Sequence, residues 1–152
     1  MPILKNCKLF FCKLDPKFPN RKYNKDNPTW EAQIRTEDRK QKAEWEALGL
    51  AVKAVIPDDE NQKPFYRVNL RKKSIKKDGT PSGPVNVVNG SLEPVDPNSI
   101  GNGSLAHIRI YQYPYNDGDG GQKLASVLMG IQLKKHIKYV PSPRDDEFDM
   151  DE

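Results

Sequence analysis

At 152 residues, 36% of them apolar, the chain suffices for one domain with a modest core and holds too many aromatic and branched side chains for a disordered polymer. Its net charge of +4 hides a segregation: six of the 21 acidic residues and none of the 25 basic ones lie in 145–152, so the body carries +10 and the tail −6. A body so charged suits a polyanionic partner, because each neutralised phosphate releases condensed counterions.

The first residues, MPILKNCKLFFCKLD, mix apolar with charged side chains and contain no unbroken apolar stretch, so neither a signal peptide nor a membrane span is expected, and the cytoplasm is the expected compartment. Cys7 and Cys12 are the only cysteines. Their odd separation places them on opposite faces of an extended strand, which favours reduced thiols over a disulfide. Lys8 to Leu14 predicts a first strand ending at Asp15-Pro16, and PKFPNRKYNKDNP an exposed basic loop.

Thr29 to Arg35 alternates, with Trp30, Ala32 and Ile34 on one face and Thr29, Glu31, Gln33 and Arg35 on the other, which predicts a half-buried strand. Thr36 is placed to cap a helix running through Ala43, Trp45, Ala47 and Leu48 to Gly49. Leu50 to Ile56 is a further strand, followed by the polar turn PDDENQKP. In Phe65 to Lys73, Tyr66, Val68 and Leu70 form the inner face, leaving Phe65, Arg67, Asn69, Arg71 and Lys73 outside.

Ser74 to Gly103 concentrates Pro, Gly, Asn and Ser and reads as a long, partly mobile insertion with a brief apolar break at Val85 to Val88. The stretch SLAHIRIYQYPY then turns Ala106, Ile108 and Ile110 inward and His107, Arg109, Tyr111 and Tyr113 outward. After the turn NDGDGGQ, Leu124 to Val140 is a last long strand with Ala125, Val127, Met129, Ile131 and Leu133 as its inward series. The expected fold is mainly β: an OB-fold-like five-stranded barrel over 1–144 with one helix and long loops, and a disordered acidic C-terminal tail, 145–152.

Two outer faces that combine cations with rings match single-stranded nucleic acid, which offers phosphates on one side and unstacked bases on the other. The candidate contacts are Arg35, Phe65, Arg67, Arg71, Lys73, His107, Arg109, Tyr111 and Tyr113. Catalytic chemistry finds less support. The histidines stand far apart, the cysteines form no CxxC, and no phosphate loop or nucleophile elbow occurs. Counting Asp117 as the first position of a calcium loop puts Leu128 where a bidentate glutamate belongs. No metal, cofactor or enzymatic activity is therefore expected.

Taken together, the IGNGS turn at Ile100 to Ser104, the alternating strand behind it, the glycine turn, the long hydrophobic last strand and the charged end resemble the bacteriophage single-stranded DNA-binding proteins. That resemblance implies an OB-fold and non-sequence-specific coating and protection of DNA during phage replication, recombination and repair, without a cofactor; a monomer or homodimer is expected, the sequence leaving the choice between them open. It also implies that Asp145, Asp146, Glu147, Phe148, Asp149, Met150, Asp151 and Glu152 act in regulation or in recruiting phage replication or recombination proteins. Two alternatives stay open: an RNA-binding module of cold-shock or ribosome-associated type, and a magnesium-dependent nuclease using Asp58, Asp59 and Glu60.

Overall fold

The computed structural model describes residues 2–17, 27–76, 78–116, 118 and 121–138. The predicted acidic tail, and most of the predicted basic loop, lie outside the described residues. Five long strands close into a barrel: β1 (Ile3–Lys13), β2 (Thr29–Thr36), β4 (Phe65–Lys73), β6 (Ser104–Asn116) and β7 (Gln122–Lys135). Around the ring, β1 bonds β2, β2 bonds β4, β4 bonds β7, β7 bonds β6 and β6 returns to β1. Every contact is antiparallel except the closing one, where β4 and β7 meet in parallel at Arg71 and Val127. This is the OB-type barrel that the strand pattern predicts.

The alternating residues fill its interior. Trp30, Ala32 and Ile34 of β2, Val68 and Leu70 of β4, and Ala106, Ile108 and Ile110 of β6 are all buried, each larger aliphatic side chain contributing roughly 1.5–3 kcal/mol by leaving water. In β7 the expected inward series holds only in its last part. Arg109 faces Gly130 while Ile110 faces Leu128, so Met129 is an extra residue that shifts the phase, and Leu128, Ile131 and Leu133 are the ones buried.

The helix α1 (Arg39–Ala47) starts later than its first candidate cap allows. Thr36 remains the last residue of β2, its Oγ1 accepting from the Asp38 N–H, and the Asp38 carboxylate caps the helix by accepting from Lys40 N at 2.9 Å. The helix sets Trp45 into the core. It is tied to the barrel by Gln41 Nε2, which donates to the carbonyls of Lys5 and Asn6, and by Leu48 O, which accepts from Gln112 Nε2. Gly49, at φ 80°, reverses the chain afterwards.

Two short strands flank the ring: β3 (Lys53–Val55) lies on β4, and β5 (Asn86–Val88) runs parallel to β7. The expected insertion thus contains a strand, with Val85 and Val87 buried; three residues are too short for alternation to reveal. The IGNGS turn is a latch. A Cβ on Gly101 would stand 2.8 Å from the Ile137 carbonyl, and the buried Ser104 hydroxyl both donates to Gly101 O and accepts from Ile137 N. Both cysteines are free, and burial pushes each thiol up to about 12.

Candidate nucleic-acid interface

Strand register builds the outer face of β1, β2 and β4 row by row. In one row Lys8 stands opposite Arg35, Arg35 opposite Arg67, and Arg67 opposite Lys53 of β3, so four cations cross four strands. The next row is Phe10, Gln33 and Asn69, and beyond it come Lys13, Glu31 and Arg71. Like charges directly opposite one another destabilise a sheet, so a row of this kind is poorly suited to an unliganded protein and well suited to a polyanion.

Three rings surround the row. The Arg35 guanidinium carbon lies 4.1 Å from the Phe10 centroid, 4.5 Å from Phe65 and 5.2 Å from Phe11. Since β2 runs between β1 and β4, Phe10 and Phe65 reach the guanidinium from the two strands that flank its own. Arg35 Nε donates to Gln33 Oε1 at 2.6 Å, and Gln33 Nε2 to Asn69 Oδ1 at 2.9 Å, a chain of hydrogen bonds that ties the head group to its neighbours on the face. Desolvation, and then the charge of Arg67, lower the Arg35 pKa: the site would gain from an anion. The one carboxylate in these rows, Glu31, pairs with Arg71 at 3.4 Å.

The predicted contacts fall into two groups. Arg35, Phe65, Arg67, Arg71 and Lys73 share the face just described. His107, Arg109, Tyr111 and Tyr113 lie on β6, which in the five-membered ring stands across from β2 and β4. There Tyr111 and Tyr113 are exposed with centroids 6.0 Å apart, and Arg109 lies against Gly130, where a guanidinium nitrogen is 3.4 Å from the place of a Cβ.

Phe10, Phe11, Lys8 and Lys53 escaped the sequence reading. Alternation can send only one of two consecutive phenylalanines outward, whereas β1 is bulged at both Asn6 (φ 55°) and Phe11 (φ 52°) and brings both rings to the surface. The signal for Lys8 and Lys53 is their registry with Arg35 and Arg67, which needs the pairing of strands.

His107 has a structural task. Its Nδ1 accepts from the Asn6 N–H of the first bulge at 3.1 Å, so the ring is needed neutral, and desolvation with the nearby Lys134 and Lys5 lowers its pKa. A histidine with a depressed folded pKa contributes stability at pH above its unfolded value, about 6.5, and loses it as pH falls towards the folded value. The melting temperature is therefore expected to drop on going from pH 7.5 to 5.5, and His107→Gln to flatten that drop; an unchanged drop in the variant rejects the assignment.

Among the described residues no cluster of three or more His, Cys, Asp or Glu side chains is placed to hold a metal ion, and no helix is long and apolar enough to cross a membrane. No protein-family model matches the sequence, and no curated protein matches it. Solved structures do match. The single-stranded DNA-binding protein of bacteriophage Enc34, in complex with single-stranded DNA, superposes with a TM-score of 0.61 at 13% identity over 89% of this chain and 86% of that one. Its C-terminal truncation gives 0.60 at 14% over 91% and 87%. The single-stranded DNA-binding protein encoded by bacteriophage T7 gives 0.50 at 13% over 90% of each chain. The fold is theirs, at a level of identity that speaks for the fold alone.

Proposed function

We propose that the chain is a non-sequence-specific single-stranded DNA-binding protein, with the outer face of β1, β2 and β4 as its DNA track. The observation that carries this is the cation row Lys8, Arg35, Arg67 and Lys53 set among Phe10, Phe11 and Phe65. Phosphates follow the row and continue to Arg71 and Lys73, while bases stack on the rings, a contact that every base can make. Solved structures of the same fold are of proteins that bind single-stranded DNA, which supports the choice of ligand. His107, Arg109, Tyr111 and Tyr113 form a second contact that only a longer strand reaches around the barrel. In this proposal the protein coats and protects DNA exposed in phage replication, recombination and repair, without catalysis, and 145–152 serves regulation or recruitment by its charge.

The test is affinity for a labelled thymidine oligonucleotide at rising salt. Neutralising the four phosphates along the row predicts a log–log slope of about −3 for a single strand, rising to about −4 when Arg71 and Lys73 are included, and Arg35→Ala is expected to reduce its magnitude by about 0.7. With a short oligonucleotide Tyr113→Ala binds like the parent and weakens only with a longer one. A flat salt response overturns the proposal; tighter binding to RNA of the same sequence, or cleavage of DNA with added magnesium, replaces it by one of the alternatives.

A further inference from the structure

We infer that Asn102 is a positioning residue for the DNA track, acting through Phe11; this rests on the function proposed above. Consecutive strand residues point to opposite faces, yet the rings of Phe10 and Phe11 lie 6.3 Å apart on the same face and both approach Arg35. The bulge makes this possible. Phe10 pairs with Gln33 and Lys13 with Glu31, so two residues of β1, Phe11 and Cys12, oppose Ala32 alone. Phe11 takes the left-handed conformation at φ 52°, which residues with a Cβ adopt at a cost and which this kind of bulge normally gives to glycine. Phe11 is 55% exposed, so burial offsets little of the strain.

A hydrogen bond from outside the strand holds the bulge: the Phe11 N–H donates to Asn102 Oδ1 at 2.8 Å. The turn around Asn102 is fastened on both sides. Gly101 donates to the Ile137 carbonyl, and Gly103, at φ 91°, donates to Leu9 O at 2.8 Å, two residues before Phe11. Asn102 is itself exposed, so its side chain is present for this bond and not for packing. Strain retained at an exposed ring, with a dedicated acceptor to maintain it, marks a group kept for binding. The glycines of the IGNGS turn thus serve the barrel, and the asparagine between them serves the ligand.

The experiment is a double-mutant cycle on oligonucleotide affinity at fixed salt with Asn102→Ala and Phe11→Ala. Phe11→Ala is expected to weaken binding about tenfold, the loss of one stacking ring. Asn102→Ala is expected to weaken it severalfold, and the double variant to bind within about twofold of Phe11→Ala, because Asn102 has nothing to position once the ring is gone. Hydrogen exchange at the Phe11 amide should accelerate in Asn102→Ala while the Gly103 amide stays protected. As a second route, Phe11→Gly relieves the backbone, so its melting temperature should equal or exceed the parent's while DNA affinity falls. Additive losses, or parent-like affinity of Asn102→Ala beside a weakened Phe11→Ala, overturn the role of Asn102. Parent-like affinity of Phe11→Ala instead removes that ring from the DNA track and overturns both.

Discussion

The double variant Phe10→Ala/Phe65→Ala is expected to bind single-stranded DNA about 30- to 1,000-fold more weakly than the parent, a loss of roughly 2–4 kcal/mol. Each stacking ring is worth about 1–3 kcal/mol by itself, but these two hold the same guanidinium, so removing both should fall short of the sum. With neither ring in place Arg35 also gains freedom, and the cation row loses the one member fixed in orientation by its neighbours. Neither phenylalanine belongs to the buried core, so thermal stability should change little. Anisotropy titration of a labelled oligonucleotide measures the effect; a loss below about threefold with the fold intact would show that the rings do not stack on bases.

The second large effect concerns the fold. Trp45 is 2% exposed and is the buried residue of α1, so Trp45→Ala leaves a cavity that a tied-down element cannot collapse to fill. A destabilisation of about 3–5 kcal/mol is expected, read as a lower urea midpoint with an unchanged slope. Ala43→Ser, on the exposed side of the same helix, should stay within about 0.5 kcal/mol. A cost near 1 kcal/mol for Trp45→Ala would mean that the helix adds little to closing the core.

The barrel was legible in the sequence where strands alternate without interruption. Trp30, Ala32 and Ile34, or Ala106, Ile108 and Ile110, announce their inner face by period two alone, and the structure buries all six. Legibility failed at the bulges, because an inserted residue is defined by what it faces on another strand. Met129 shifts the phase of β7, and Phe11 turns a strand that reads as alternating into a surface with two adjacent rings. The site divided along the same line. Arg35, Phe65, Arg67, Arg71 and Lys73 could be found one strand at a time, since each is the outward member of its own pattern. Lys8 and Lys53 acquire meaning only through registry, and the separation of β6 from β4 shows only in the order of strands around the ring. Asp38 displaced Thr36 as the helix cap because β2 claims Thr36 for its last pair, with Tyr66.

The two three-residue strands beside the barrel bear on how copies of the protein tolerate one another. The ring closes at a single parallel position, Arg71 and Val127, which leaves lengths of β4 and β7 with edges of the kind that an unrelated extended segment joins. β3 occupies part of β4 and β5 part of β7, and each ends after three residues, too short to template another strand. Two copies brought side by side, as the proposed coating of DNA requires, would therefore meet through side chains rather than by extending each other's sheets.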